Sequence, residues 1–488
     1  MSRRIVIDHL ARVEGHGGVT VELDGAGVRQ VRFDIFEGAR LLETAVRGRR
    51  FDEVAPVASR ICAICSAAHA LTSLKATEQA FGVAVSPQTE RLRELLYRGE
   101  NIASHALHLF LLAAPDYLGL PDAAALAAQN PEAVELGLRL KRLGNRIQEV
   151  IGGRAVHPVN AVVGGFARLP AEDDLIALRA DLRQGLADSE AAVDLIASLP
   201  PVESCSAAPH LAALISQDGY GYYSGQEVMV TDGGAPVQLL ASDYRTWLKE
   251  RAVEHSHAKH SSVNGSPFMV GALARVVLRR QSLPPRAEAA LARLGLRLPP
   301  ESPLDNNKAQ AIELVVDVAS ALETVEGLLE QGLAPEPPVA VEARQAFGVA
   351  ATEAPRGLLI HSYSYDSQGR LLAADVITPT AMNASSVEQH LRRTVEHCSG
   401  ADDQTLSLRW WAPGSSARRS WRRRGGRSTR IWRRRECSTR AILSAPGWRS
   451  IWPLPVRRSP NTWRAGNEER FSSTWAGSKR RSALISCP

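Results

Sequence analysis

Cysteine is scarce in this chain: six in 488 residues, with only Cys62 and Cys65 close in sequence. A disulfide-stapled scaffold is thereby excluded, and a reducing compartment is favoured. Apolar runs are short. None approaches the uninterrupted length of about 18 residues that would span a membrane. The opening Met-Ser-Arg-Arg-Ile-Val-Ile-Asp-His-Leu has no apolar centre of the kind a secretory leader needs. The expectation is a soluble chain with no membrane partner. Its length suits one large domain with an extensive core, or about two to four average ones.

Acidic residues run out at one place. From Thr405 to Pro488 there are 19 Arg and one Lys against three Glu and no Asp, a formal +17, together with eight of the nine tryptophans. The preceding 404 residues carry 38 basic and 49 acidic side chains, −11, so the net +6 joins two unlike pieces. The body is mildly acidic, and the overall basicity is no sign of a nucleic-acid partner for it. The chain therefore reads as a body, 1–404, and a basic Arg/Trp-rich tail, 405–488, expected to be disordered. The preferred origin of the tail is out-of-frame translation of a GC-rich gene, whose shifted codons over-produce Arg, Trp, Ser, Gly and Pro. Its rival is a genuine basic tail with interleaved aromatics for RNA or single-stranded DNA.

Within the body, residues 4–36 alternate apolar and polar around Asp24-Gly25 and read as a small antiparallel meander. From about 56 to 115 the pattern turns helical, with Leu92, Leu95, Leu96, Ile102, Leu107 and Phe110 among its apolar positions. Further helices are expected over 132–152, 171–199 and 307–331, the last with a core stripe from Ile312 to Leu329. Residues 356–378 alternate again about Asp366-Ser367-Gln368-Gly369, a second hairpin. Proline-rich breaks punctuate elements without long linkers, so one α+β, predominantly helical domain is expected, with a long-helix core and small antiparallel sheets.

Chemistry concentrates in Arg60-Ile-Cys-Ala-Ile-Cys-Ser-Ala-Ala-His69. On a helix, Cys62, Cys65 and His69 at i, i+3 and i+7 would share an arc of about 60°, and Arg60 would favour the thiolate of the first. Soft thiolates suit nickel, zinc, copper(I) or an iron–sulfur cluster. A redox dithiol and structural thiols are the alternatives. Five other stretches carry weaker signals. Glu14, in Arg12-Val13-Glu14-Gly15-His16, could relay protons or be a solvated turn carboxylate. Glu43, in a run that reads as half-buried, could hold a hard divalent ion. Arg356, between Pro355 and Gly357, could be held over a pocket or lie on a surface turn. Thr378 to Asn383 offers hydroxyls or a helix cap. His255, His257 and His260 read as a solvated polar loop rather than a metal site.

Taken together these motifs resemble the large subunit of [NiFe]-hydrogenases, over about Ile5 to His397. Ser104 to His108, Gly152 to His157 and Val270 to Arg275 add support. Val253 to His260 and Ile5 to Leu10 look most like the soluble NAD(P)-linked, or sulfhydrogenase, branch, hence a cytoplasmic chain. The resemblance implies that Cys62 is a terminal nickel ligand. Cys65 would bridge nickel to an iron carrying cyanide and carbon monoxide, and His69 would hydrogen-bond the bridging sulfur. Glu14 would pass protons, Arg356 would hang over the open coordination position, and Thr380 would hydrogen-bond a cyanide. Glu43, with the Val376 carbonyl, would hold magnesium or iron. Splitting H2 needs a soft metal centre and a nearby base, and these residues supply those types. Electrons would leave through an iron–sulfur small subunit and NAD(P)-reducing diaphorase subunits, since no cluster or nucleotide site is evident on this chain.

The sequence departs from the family pattern in two places. Ala63 replaces a usual glycine, which a helix tolerates. The closing Asp-Pro-Cys-x-x-Cys-x-x-His motif is absent: Cys205, Cys398, Cys437 and Cys487 stand singly, with no Cys or His three residues on. The chain as written is therefore expected to be inactive. A non-catalytic hydrogenase-like subunit without nickel, or a redox dithiol protein, are the alternative functions.

Overall fold

The alternation at the start of the chain produces β1 (Ser2–Ile7), β2 (Gly17–Asp24) and β3 (Gly27–Ile35), an antiparallel sheet in that order. Ile5, Val19, Val21, Leu23 and Val31 form its buried face. The computed structural model describes residues 2–10, 16–25, 27–36, 38, 40–201, 208–216, 219–231 and 234–397. Every described residue belongs to one compact unit. Glu14, the four single cysteines and the tail boundary at 404/405 lie outside the described residues.

The helical stretch after the meander is not continuous. It resolves into α1 (Arg40–Ala45), α2 (Phe51–Ala58), α3 (Ser66–Phe81), α4 (Pro87–Ala106), a wider turn at Leu107–Ala113 and α5 (Ala114–Tyr117). Local chemistry sets the breaks. Gly82 ends α3 in the left-handed conformation, and Ser86 caps α4 by accepting from the Thr89 N–H, with Pro87 in the first turn. Then follow α6 (Ala123–Gln129), α7 (Pro131–Gly152), β4 (Ala161–Val162), β5 (Gly165–Phe166) and α8 (Glu172–Ser198).

The long helices expected over 132–152, 171–199 and 307–331 are α7, α8 and, further on, α12 (Asn306–Gln331). With α4 they pack into the main core, lined by Leu92, Leu96, Ile147, Leu178, Leu182, Ile312 and Val315. At the α4–α7 crossing, a Cβ on Gly144 would collide with the Gly99 carbonyl and the Ala103 backbone. The two backbones can meet there only because glycine stands at that position.

Between α8 and α12 lie elements that the sequence does not announce. They are β6 (Ala212–Ile215), β7 (Glu227–Val230), β8 (Val237–Leu240), α9 (Tyr244–Trp247), β9 (Leu248–Val253), β10 (Ser256–Val263), α10 (Ala272–Leu278) and α11 (Pro285–Leu294). The polar segment with His255, His257 and His260 is thus the β9–β10 hairpin and not a solvated loop. Ser256, His260 and Ser261 are buried, His260 being 1% exposed. The second hairpin gains a strand: β11 (Ala346–Ala354) precedes β12 (Gly357–Tyr365) and β13 (Leu371–Ile377) in one antiparallel sheet. The last described element is α13 (Pro379–His397), which packs on β3 and β10.

Candidate metal centre

Cys62 and Cys65 do not share a helix. A short turn, Ser59–Ile61, ends at Cys62, whose backbone is extended (φ −144°, ψ 139°), and Cys65 is the residue that begins α3. The two residues therefore converge by wrapping a turn around the helix N-terminus and not by helical periodicity. Their Cα atoms are 5.5 Å apart with the sulfurs joined as a disulfide, and the Cys65 N–H donates to Cys62 Sγ at 3.1 Å. A helix N-terminus favours thiolate sulfur. Immediately behind, the buried carboxyl of Glu100 accepts from the Ala67 and Ala68 N–H groups at 2.6 and 2.9 Å, and burial pushes its pKa up to about 8.

His69 sits one turn into α3 and is 2% exposed. Burial lowers its pKa to about 3, so the ring is neutral. Its Nδ1 lies 3.1 Å from Nε2 of His361 on β12, which leaves Nε2 as the atom able to reach sulfur. His361 in turn contacts the Tyr363 hydroxyl at 2.7 Å, and that hydroxyl donates to Ser73 Oγ at 3.0 Å. Thr77 bonds the Tyr365 hydroxyl at 2.7 Å. Going from Thr77 back to His69 along α3, the partners on β12 run from Tyr365 to His361. Pro355 and Arg356 make the turn that joins β11 to β12.

That turn is braced from below. Arg275, fully buried, donates from Nη1 to the Ala354 carbonyl (3.0 Å) and from Nη2 to the Pro355 carbonyl (3.2 Å). The same guanidinium bonds Glu313 at 2.6 and 2.7 Å and Glu353 at 2.9 Å. Gly357 has φ +130°, and a Cβ there would stand 2.6 Å from the Gly271 nitrogen, so the turn can rest on the 270–271 backbone only as glycine. Arg356 is half-buried, and its charge is felt by His105 and His108.

Glu43, on α1, is half-buried as expected, and its Oε1 accepts from the Val376 N–H at 2.9 Å. Val376 pairs with His361 on the outer strand of the sheet. Because its N–H faces away from β12, its carbonyl does too, and both reach the open edge where Glu43 lies. Burial raises the Glu43 pKa, opposed by the Val376 hydrogen bond and by Lys259. Lys259 is held by Glu250 at 2.5 Å and Asp375 at 3.4 Å. Val376, His361 and His69 thus form one line from Glu43 to α3. Thr378 takes the capping role, its Oγ1 accepting from the Ala381 N–H at 3.3 Å, whereas Thr380 is exposed in the first turn of α13.

Sequence reasoning passed over His361, Glu100, Glu313 and Glu353. A polar residue inside an apolar strand, as in Leu358-Leu359-Ile360-His361, was the available signal for the first. The three carboxylates carry none, because their partners are over 30 residues away.

A mostly helical chain that gathers two cysteine sulfurs and a neutral buried histidine at one helix N-terminus has the make-up of a metal-dependent redox subunit. Two family descriptions match it: "Nickel-dependent hydrogenase" over residues 40–137 and "HoxL-like" over residues 4–37. Sulfhydrogenase 1 subunit alpha of Pyrococcus furiosus is 39% identical over 408 residues, 83% of this chain and 93% of the relative. Sulfhydrogenase 2 subunit alpha of the same organism is 35% identical, over 82% and 93%. The solved structure of an NAD+-reducing [NiFe]-hydrogenase in the H2-reduced state is similar with a TM-score of 0.74 at 28% identity, covering 84% of this chain and 96% of that one. This chain belongs to the nickel-dependent hydrogenase family and is an oxidoreductase.

The donors here suit nickel in kind but not in number. Two soft sulfurs meet at the α3 N-terminus, yet the sequence has no second Cys-x-x-Cys to complete a four-thiolate set.

Proposed function

We propose that this chain is the catalytic large subunit of a soluble, cytoplasmic [NiFe]-hydrogenase whose closing metal motif has been lost to a shift of reading frame near residue 405. In the intact subunit H2 is oxidised or protons are reduced. Electrons pass through an iron–sulfur small subunit to NAD(P)-reducing diaphorase subunits. The observation that carries the reading is the meeting of the Cys62 and Cys65 sulfurs at the start of α3. Cys62 would then hold nickel, and Cys65 would hold nickel together with an iron carrying cyanide and carbon monoxide. His69 Nε2 steadies that bridging sulfur. Glu43 with the Val376 carbonyl would hold magnesium or iron, and Thr380 would hydrogen-bond a cyanide. Glu14 exchanges the proton with solvent, and Arg356 closes over the open position. The nickel–iron pair, when complete, supplies the soft Lewis-acid centre, and this chain supplies the base and the bracing. As written, the chain lacks two ligands, and no turnover is expected of it.

The break in composition at Thr405, with 19 Arg and eight Trp after it, supports a foreign tail. The gene decides it. One of the other two frames downstream of codon ~405 should encode Cys-x-x-Cys-x-x-His. The chain rebuilt in that frame, purified with its partners, should hold about one nickel and reduce NAD(P) with H2. If neither frame contains the motif, the frameshift is wrong. Nickel with H2 activity but no NAD(P) reduction would remove only the diaphorase coupling. The missing thiolates favour a second reading, a hydrogenase-like subunit without nickel, which a nickel-free rebuilt complex would select. The joined sulfurs favour a third, a redox dithiol, which reversible Cys62–Cys65 oxidation with no metal bound would select.

A further inference from the structure

The β9–β10 hairpin brings together three groups that play no part in the nickel–iron reading. His255 Nε2 lies 2.8 Å from Glu388 Oε1, and His260 Nδ1 lies 3.7 Å from Glu388 Oε2. One ligand atom from each of the three falls within 4.8 Å of the others. The elements come from distant parts of the chain. His255 lies in the hairpin turn and His260 on β10, whereas Glu388 is on α13.

His260 is 1% exposed, and neither of its ring nitrogens has a hydrogen-bond partner. A buried imidazole in that state forfeits the bonds it made in water. Glu388 is oriented from outside the cluster, its Oε1 accepting from the Phe33 N–H on β3 at 2.9 Å. That is the kind of outer hydrogen bond that fixes a ligating carboxylate. Glu388 also lines a surface cavity of about 510 Å3 with Arg251, Ser262 and Gln389, so its carboxylate is reachable from solvent.

We propose that His255, His260 and Glu388 bind a divalent transition-metal ion of the zinc class, clamping α13 to β3 and to the β9–β10 hairpin. Two imidazoles and one carboxylate are borderline donors that suit zinc, with a fourth, solvent-facing position left open. The ion supplies the partner that His260 lacks. The clamp is a site of its own. It does not depend on the nickel–iron assignment, and it holds in place the helix whose first turn carries Thr380.

The test is zinc content of the full-length chain in a Cys62→Ser/Cys65→Ser background, which removes the thiolate pair as a competing site. After equilibration with Zn2+ and removal of the excess, elemental analysis should find one zinc that disappears in Glu388→Gln and in His255→Gln. Affinity should fall roughly 100-fold or more, since even an outer hydrogen-bond partner of a metal ligand is worth 10–100-fold. Glu388→Gln keeps the size of the side chain and an oxygen for the Phe33 N–H. Circular dichroism of the zinc-free proteins checks that the variants fold like their parent. Co2+ substitution should give visible bands of a nitrogen/oxygen site without sulfur-to-metal charge transfer. A parent that takes up no zinc, or zinc content unchanged in both folded variants, would overturn the proposal and leave a hydrogen-bonded cluster only.

Discussion

At the scale of single residues, the most consequential side chain outside the thiolate turn is Arg275. It is completely enclosed and neutralises two carboxylates while fixing the carbonyls before Arg356. Burial works to raise the Glu313 pKa, but the Arg275 charge and hydrogen bonds overcome it and hold the carboxyl well below the ordinary range. A carboxyl depressed in the folded state stabilises it above the unfolded value near 4.5, and that contribution is lost as pH falls. Replacing Arg275 with Met strands both charges in a low-dielectric interior. The expected cost is about 3–5 kcal/mol, read as a fall in thermal midpoint at pH 7. The loss should shrink on acidification, as Glu313 takes up its proton in the variant. A midpoint unchanged at pH 7 would mean that the pair is not braced as described.

At the scale of elements, the molecule depends on backbones that approach more closely than side chains allow. The α4–α7 crossing is the clearest case. Gly144→Ala improves helix propensity by somewhat under 1 kcal/mol, yet its methyl group meets the Gly99 carbonyl and the Ala103 backbone. Crowding should win, with a net destabilisation of about 1–3 kcal/mol in denaturant unfolding. A stabilised variant would show that the helices can slide apart at no cost. The same scale explains the thiolate turn. Helical spacing suggested that Cys62, Cys65 and His69 share a face, but the chain instead kinks before Cys65, and the helix begins with it. Convergence survives because a turn at a helix N-terminus gathers i and i+3 as effectively as the helix does.

At the scale of the whole molecule, every buried cluster among the described residues closes before His397; Val395 is the last side chain to join one. If the tail is out-of-frame translation, a chain ending at residue 404 should melt within about 2 °C of the full 488-residue chain in calorimetry, less than 1 kcal/mol shifts a domain of moderate size. A markedly lower midpoint would make the basic tail part of the core and count against its out-of-frame origin.

The long helices were legible from the sequence because a 3.6-residue period over more than twenty positions outweighs local noise, as in α12, where Ile312, Val315 and Val318 are all buried. The three-stranded meander and the β12–β13 hairpin were legible from strict alternation bounded by turn residues. The importance of Cys62 and Cys65 was legible from residue type and spacing alone. What the sequence could not decide was every partnership across the chain. The short strands β6 to β10 carry little periodicity, so a segment that reads as a polar loop turned out to hold a buried histidine. His361 meeting His69, Val376 meeting Glu43 and Glu388 meeting His255 join residues 292, 333 and 133 positions apart. Such contacts follow from how sheets and helices stack. Local sequence sets the period and the breaks of each element, but only packing of the finished elements determines which polar groups are left facing one another.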